Sequence, residues 1–380
     1  MWLWLCGCII LAFFYFILQY TYKKNWEAIP VTAEPTYMPF TQVSIIIPAR
    51  NEEDNIINLL QSIQSNDYPK EYFEVIVIDD HSEDGTFSVV QGLAYDNVAI
   101  YHLKDLLPAD TYTEAYKKRA IEAAIHIARG ELIVTTDADC IVGEKWLKTI
   151  AHIYEKEKCA AIVAPVLFVP QDNLFEQFQA LDFSGMIAIT FASIKMKMYN
   201  MANGANLAFS KAAFIDVGGY AGIDHKASGD DMLLIYKIAK TYDGKVSMAK
   251  SEEALVYTRP VHDLNGFLQQ RFRWTSKAAD YQDRRITVIL ALVYLFVLSI
   301  AVNLVLGCVM IHELLYLFLL QCIVKYISDY LLLSSVTNFF DKSIWMKNFF
   351  MKELLHSLYI VFVGTLGNIM PYKWKGRKLH

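Results

Sequence analysis

No two cysteines in this chain stand as a C-x-x-C pair. The six (Cys6, Cys8, Cys140, Cys159, Cys308 and Cys322) are scattered, several of them in apolar runs. That spacing excludes a zinc-binding pattern and a disulfide framework. Positive charge is short as well: 35 Lys and Arg against 40 Asp and Glu leave a formal net charge of −5. No basic patch is interleaved with aromatic residues, so nucleic acid is not expected as a partner. There is no internal repeat and no low-complexity tract, and a repeat architecture is not expected.

Charge is missing altogether from two long stretches, residues 1–19 (MWLWLCGCIILAFFYFILQ) and 286–310 (ITVILALVYLFVLSIAVNLVLGCVM). Hydrophobic residues make up 54% of the chain, and the excess is concentrated in such runs. Each is about the length a helix needs to cross ~30 Å of hydrocarbon at ~1.5 Å per residue. A signal peptide is the rival reading of the first run. No basic segment precedes it and no small-residue cleavage site follows, so an anchor is expected. Lys23 and Lys24 follow the first run, and Arg284 and Arg285 precede the second. By the positive-inside tendency both pairs put the intervening domain on the cytoplasmic side of an integral membrane protein, of the bacterial inner or plasma membrane type.

The C-terminal part carries further apolar runs at 314–336 and 354–370. Lys325 and Asp329 lie four apart on one helical face, as an ordinary intrahelical pair or as a functional intramembrane charge pair. If 354–370 spans, the basic tail lands outside against the positive-inside tendency; otherwise that segment is re-entrant or interfacial. The expected organisation is an anchor at 1–21, a linker at 22–39, a cytoplasmic domain at 40–285 and a membrane region at 286–371. The helices of that region fall at about 286–310, 314–336 and 354–370, and a basic tail occupies 372–380.

Between the anchors, strand and helix patterns alternate. VSIIIPA (43–49), FEVIVIDD (73–80), VAIYHL (98–103), ELIVTT (131–136) and AAIVAPVLF (160–168) read as strands. Continuous apolar runs mark strands buried on both faces. NEEDNIINLLQSI reads as a helix with Ile56, Leu59, Leu60 and Ile63 on one face and acids in its first turn. TEAYKKRAIEAAIHIARG (113–130) is a helix ended by Gly130. Alternation of this kind predicts an α/β domain with a mostly parallel sheet. Residues 172–199 read as a long helix apolar enough to touch a membrane surface. NGANLAFS (203–210) reads as a turn and strand, SGDDMLLIYKIAK (228–240) as a helix opened by acids, and LNGFLQQRFRW (264–274) as an amphipathic helix.

Ligands of such sheets bind beyond the carboxyl ends of the strands. Three of those ends, PARNEE, DDHSEDG and DADC, are polar and rich in acids, and topology places them in one crevice. Asp137 and Asp139, two residues apart, point the same way if extended geometry continues, and then suit Mg2+ or Mn2+; turn acids are the plain alternative. Asp79 and Asp80 can accept hydrogen bonds from a nucleobase or a ribose; helix capping by Ser82 or Asp84 explains the later residues of that segment but not the paired aspartates. Asp230 and Asp231 open a helix, either as dipole-stabilised acids or as a general base. Gln270, Arg273 and Trp274 share a helix end: a donor fork for a diphosphate with a flat face for a sugar, or an interfacial Trp and Arg.

VSIIIPARNEEDNI, VIVIDDHSEDGT, KKRAI…GELIVTTDADC, NGANLAF, SGDDMLL and QQRFRW occur in that order. Together they closely resemble membrane-bound family 2 glycosyltransferases of the GT-A fold. That group includes cellulose-, chitin- and hyaluronan-synthase-like enzymes and smaller lipid glycosyltransferases. The resemblance covers about residues 40–280. It implies a Rossmann-like nucleotide-sugar-binding domain with a mostly parallel sheet, flanked by N- and C-terminal transmembrane helices.

By that resemblance Asp79 and Asp80 hold the nucleoside of the donor, and Pro48, Ala49, Arg50 and Glu52 line its pocket. Lys117 lies near the donor. Asp137 and Asp139 form the D-x-D that holds a divalent metal and the diphosphate. Asp231 is the base of an inverting transfer, and Gln270, Arg273 and Trp274 are the Q-x-x-R-W motif. The base motif reads Gly-Asp-Asp here rather than Thr-Glu-Asp, which leaves Asp230 as a second candidate. The implied activity is metal-dependent transfer of a hexosyl or N-acetylhexosaminyl group from a nucleotide-sugar, with uridine as the expected base. The acceptor is a lipid, lipid-linked or glycan hydroxyl at the bilayer. A processive polysaccharide synthase is the alternative, and a non-catalytic membrane transport protein a distant one.

Overall fold

The apolar runs become strands buried on both faces. The computed structural model describes residues 2–107, 115–199, 201–224, 229–277, 281–367, 372–374 and 377–379. Residues 113–114, 228 and 368–370, at the ends of expected helices, lie outside the described residues, as do 371, 375, 376 and 380 around the basic tail. In chain order the strands are β1 (Val43–Ala49), β2 (Phe73–Asp79), β3 (Val98–His102), β4 (Leu132–Thr135), β5 (Ile141–Val142), β6 (Ala161–Val163), β7 (Val166–Phe168), β8 (Leu207–Ser210), β9 (Val246–Met248) and β10 (Val256–Thr258). The first helices are α1 (Trp2–Glu27), α2 (Ile56–Gln64), α3 (Thr86–Gly92), α4 (Leu103–Leu106), α5 (Tyr116–Ile127), α6 (Trp146–Glu157) and α7 (Leu174–Lys195). After them come α8 (Lys211–Asp216), α9 (Met232–Thr241), α10 (Leu264–Ser276), α11 (Arg284–Val309), α12 (Leu314–Phe339) and α13 (Phe349–Leu366).

The chain forms two compact units. One comprises residues 30–169 and 201–259, the other residues 1–29, 170–200 and 260–380. The expected 40–285 segment is thus shared between them, with 170–200 and 260–285 grouped with the apolar helices. α7 shows why. Nearly all of its length is buried, on every side, and within its unit it packs on α1 and α12. A helix apolar all round needs apolar neighbours rather than a sheet face and water.

In the first unit the strand order is β3-β2-β1-β4-β8-β6-β9. β1 runs parallel to β2 and β4, β2 to β3, and β6 to β9. β8 alone runs antiparallel, to both β4 and β6. The mostly parallel α/β sheet read from the sequence is borne out. Ile45, Ile46, Ile47, Val75, Val77, Ile78 and the β4 residues Leu132, Ile133 and Val134 form its core. α5 packs on β1 and β2, and α2, which packs on β5, buries Ile56, Leu59, Leu60 and Ile63 fully; each such side chain contributes about 1.5–3 kcal/mol of transfer free energy.

Two local readings change. The helix expected from residue 51 begins at Ile56, because Glu52, Glu53 and Asp54 form a turn ahead of it: the Asn55 and Ile56 N–H groups donate to the Glu52 carbonyl. The single strand expected over 160–168 is two strands in two sheets. β6 joins the main sheet, and β7 pairs with β10 in a smaller sheet that also holds β5. The break falls at Ala164–Pro165, where proline has no N–H for a ladder.

In the second unit α1, α11, α12 and α13 are long and apolar enough to cross a membrane. Ala12, Tyr15, Phe296, Val297 and Ile300 form a shared core, with the Tyr15 and Phe296 rings stacked at 4.5 Å. Trp26 closes the end of α1 among Phe191, Phe339 and Phe340. The expected Lys325–Asp329 pair forms, with Nζ 2.7 Å from Oδ2, but α13 adds Glu353 to the same ammonium.

At the amino end of the main sheet Gly130 donates its N–H to Ser44 Oγ, which in turn bonds Glu74. A Cβ on Gly130 would lie 2.4 Å from the Ser44 backbone nitrogen and 2.6 Å from the Val43 carbonyl carbon. Backbone cannot yield as a side chain can, so Gly130→Ala is expected to destabilise by about 1–3 kcal/mol. A melting temperature of the purified protein equal to that of the wild type would show that β1 and β4 are less rigidly spaced than this.

Candidate active site

Parallel register brings the strand ends together. Ala49 lies opposite Asp79, Asp79 opposite His102, and Ile46 opposite Thr135. The carboxyl ends of β1, β2, β3 and β4 therefore share one edge, and the three acid-rich ends named from the sequence meet there.

The loops after β1 and β2 are bonded to each other. Pro48 and Ala49 end β1, and the Ala49 carbonyl accepts from the Asp80 N–H at 2.8 Å. Arg50 Nη1 donates to the Asp80 carbonyl at 3.3 Å. The Asn51 N–H donates to Ser82 Oγ, the Glu83 N–H to Asn51 Oδ1, and the Glu52 N–H to Thr86 Oγ1. Asn51 (φ 52°) and His81 (φ 55°) both adopt left-handed backbone. Such strain in non-glycine residues gathers where surrounding contacts over-determine the chain, often at functional sites. Glu52 is buried, and its Oε2 accepts from Asn55 Nδ2 at 2.8 Å, so it also braces the turn into α2. Gly85 is the N-cap of α3, and Asp84, one residue earlier, accepts from the Thr86 N–H at 3.0 Å.

Asp79 and Asp80 do something different. Asp79 is 2% exposed. Its Oδ2 lies 3.0 Å from His102 Nδ1, while its Oδ1 is buried and has no hydrogen-bond partner among the described residues. The His102 ring stacks on Phe87 at 3.8 Å and 11°. Asp80 Oδ1 lies 3.0 Å from His81 Nδ1. A buried, orphaned carboxylate oxygen is costly, and one at a sheet edge offers a ready acceptor for a ligand N–H or O–H. His102 and Phe87 were not singled out from the sequence, although His102 ends the third strand at this same edge. The strand-end rule, applied to β3 as well, finds it.

Beside this pair stands a lysine among acids. Lys117, on α5, lies 2.7 Å from Asp137 Oδ1 and 3.4 Å from Asp230 Oδ2. Burial opposes its charge, but the carboxylates of Asp137, Asp230 and Asp231 outweigh that and hold its pKa well above the ordinary lysine value. Asp231 is the N-cap of α9: Oδ1 accepts from the Met232 N–H at 2.7 Å, and Oδ2 from the Gly204 N–H at 3.3 Å. The Gly204 carbonyl in turn accepts from Thr135 Oγ1 at 2.7 Å. Gly204 thus ties the end of β4 to the Asp230–Asp231 pair. Asp230 is buried, and Asp231 is less so.

The chain does not stay extended after β4. It turns at Ala138–Asp139, with the Cys140 N–H donating to the Asp137 carbonyl at 3.1 Å. Ala138 is buried between a half-buried Asp137 and an exposed Asp139. Asp139 Oδ2 lies 3.4 Å from Thr258 Oγ1 of β10. Gln270, Arg273 and Trp274 lie on α10, in the other compact unit. There Trp274 stacks on Phe183 at 5.8 Å, and Gln270 Oε1 is buried without a hydrogen-bond partner among the described residues.

Compared with known proteins, residues 4–380 match the family described as "Glycosyl transferase family 21". The chain belongs to this family. That bears out the glycosyltransferase reading of the motifs. Among curated relatives, glycosyltransferase AglE of Haloferax volcanii is 34% identical over 113 residues, covering 29% of this chain and 34% of that protein. Beta-monoglucosyldiacylglycerol synthase of Trichormus variabilis is 28% identical over 148 residues, 39% of this chain and 30% of that one. The match thus spans about a third of either relative's length. Among solved structures, the mannosyltransferase PcManGT from Pyrobaculum calidifontis, in complex with GDP-Man and Mn2+, superposes with a TM-score of 0.53. The alignment is 18% identical and covers 94% of this chain and 99% of that one, which shows a shared fold.

Gly204 gives the cluster a specific test. A Cβ there would lie 3.0 Å from Asp230 Oδ2, 3.4 Å from Lys117 Nζ and 3.8 Å from the Asp231 Cβ. Gly204→Ala is expected to part the Lys117–Asp230 pair and reduce turnover about 100-fold, since a misplacement of about 1 Å at a reacting centre can cost that much. Its melting temperature should move little. Wild-type kinetics from this variant would mean that the cluster tolerates displacement.

Proposed function

We propose that this chain transfers one sugar from a nucleoside diphosphate sugar to a hydroxyl of a lipid, lipid-linked or glycan acceptor at a membrane, with inversion at the anomeric carbon. The observation that carries the reading is the Lys117–Asp137–Asp230–Asp231 cluster at the carboxyl edge of the sheet, level with the orphaned oxygen of Asp79. The monoglucosyldiacylglycerol in one relative's name and the GDP-Man and Mn2+ in the mannosyltransferase complex support it.

Asp79 Oδ1 accepts a nucleobase N–H, uracil being the expected base, with Asp80, Pro48, Ala49, Arg50 and Glu52 around the nucleoside. The carboxylates at 137 and 139 are hard oxygen donors, and Asp137 already faces a cation, Lys117. Such a donor set fits Mg2+ or Mn2+. Asp137 and Asp139 would hold that ion, which supplies Lewis-acid stabilisation of the charge developing on the diphosphate. Lys117 and, on the resemblance of their motif, Gln270 and Arg273 add donors to the same diphosphate, and Trp274 offers a flat face to the sugar.

The acceptor oxygen attacks the anomeric carbon as its bond to the diphosphate breaks. Asp231 takes the hydroxyl proton, and the nucleoside diphosphate leaves. Asp231 is preferred to Asp230 because it is less buried and Asp230 is paired with Lys117. The anchor at 1–21, linker at 22–39, catalytic segment at 40–285, membrane region at 286–371 and tail at 372–380 place the chemistry on the cytoplasmic face of an integral membrane protein. Lys23, Lys24, Arg284 and Arg285 support that side.

The test is transfer of labelled sugar from UDP- and GDP-sugars into membrane lipid, with Mn2+, with Mg2+ and with chelator. Transfer is expected with metal only, and the product should carry one sugar rather than a ladder. Asp139→Ala is expected to abolish the metal response; full activity with an unchanged metal requirement would falsify the metal assignment. Asp231→Asn keeps a side-chain cap on α9, so it isolates the charge. Turnover should fall about 10²–10⁴-fold, the range of general-base catalysis, with nucleotide still bound. Retained turnover moves the base to another residue.

A further inference from the structure

The unit of apolar helices holds a connected set of ionisable side chains that the proposed chemistry does not use. Lys325 of α12 pairs with Asp329 at 2.7 Å and with Glu353 of α13. The same ammonium donates to His356 Nδ1 at 2.9 Å. An ammonium can only donate, so that ring nitrogen accepts and the proton sits on Nε2. His356 Nε2 then faces Asp182 Oδ1 of α7 at 3.4 Å, an oxygen that also accepts from Tyr359 Oη at 3.2 Å. Asp182 Oδ2 lies 2.6 Å from Arg271 Nη1.

Arg271 sits on α10 between Gln270 and the Arg273–Trp274 pair. It is 3% exposed. Its guanidinium carbon lies 4.5 Å from the Trp274 ring centroid, 4.8 Å from that of Phe267 and 5.4 Å from that of Tyr359. Its Nε and Nη2 have no hydrogen-bond partner among the described residues. The guanidinium is therefore held by aromatic faces, one carboxylate and Met186 Sδ, which accepts from Nη1 at 3.8 Å, and its place depends in part on where Asp182 is fixed.

Stability alone is a poor reason for such a set. Ions in an apolar helical unit are costly to bury, and a well-packed apolar replacement is often as stable or more so. Bonded ions instead fix geometry, because their partners have few alternatives. Asp329, Glu353 and His356 place ligand atoms within 4.8 Å of one another, as a metal site would, but the Lys325 ammonium already contacts all three. What the set reaches, at its far end, is the ring of Trp274.

We propose that Arg271 is a positioning residue for Trp274, and that the Lys325–His356–Asp182 relay sets its place, so that α12 and α13 govern the geometry of the Q-x-x-R-W helix. The physical contact stands on the structure; its effect on turnover rests on the sugar transfer proposed above.

The test uses the full chain in detergent or lipid and four variants. Trp274→Phe, subtracted from wild type, yields the Trp274 emission. Arg271→Lys keeps the charge and loses the planar stack; His356→Leu cuts the relay. His356→Gln can still donate to Asp182 and accept from Lys325. Arg271→Lys and His356→Leu are expected to shift the Trp274 emission and lower kcat about tenfold or more, with the donor KM little changed, because misplacement acts on the transition state. His356→Gln should restore both. An unshifted Trp274 emission in Arg271→Lys overturns the inference, and so does a His356→Gln variant as impaired as His356→Leu. If His356→Leu fails to fold, Arg271→Lys decides alone. If the wild type transfers no sugar, the emission still decides the positioning, and only the functional reading falls.

Discussion

Three carboxylates brought to one edge of a sheet repel, and the ammonium of Lys117 lets Asp137, Asp230 and Asp231 stand together there. Two like charges about 4 Å apart near a protein surface repel by roughly 4 kcal/mol, and an interposed cation turns that cost into attraction. Much of the local architecture serves this balance. α5 carries the lysine to the edge, β8 reverses direction to bring Gly204 beside β4, and Gly204 leaves room for the acids that open α9. A nucleoside diphosphate adds negative charge to the same edge, so the lysine that balances the acids also suits the proposed donor.

Much of the fold was legible because burial writes itself into composition. β1 and β2 are covered on both faces, so nearly every residue in them is apolar and the runs announce strands. The separation of β6 from β7 was not legible, since Ala164 and Pro165 are themselves apolar and break the ladder without breaking the run. Nor was the antiparallel direction of β8, which depends on where the chain re-enters the sheet rather than on any residue in it. The α2 boundary was misplaced because Glu52, Glu53 and Asp54 suit the first turn of a helix as well as the turn before one.

For the site, the acids could be read because each ends an apolar strand or opens an apolar helix. Lys117, Asp137 and Asp230 come together in space. The partners that tune them were harder to see. His102 meets Asp79 only through strand register, and Phe87 meets His102 from the first turn of α3. Lys325 and Asp329 share a helix face and could be paired from spacing alone, whereas Glu353 and His356 reach them from another helix at a distance no sequence pattern encodes.

That last arrangement bears on how the chain is made. α12 and α13 are each long and apolar enough to cross a bilayer, yet α12 carries an ammonium and a carboxylate, and α13 a carboxylate and an imidazole that close on them. Alone, α12 would still pair its ammonium with its own Asp329, whereas α13 would carry Glu353 without Lys325, and an ionised residue near a bilayer centre costs about 2.5–3.5 kcal/mol. Entering as a hairpin, they cover each other's charges. The two helices therefore gain most as a pair, because α13 takes its counter-ion from α12.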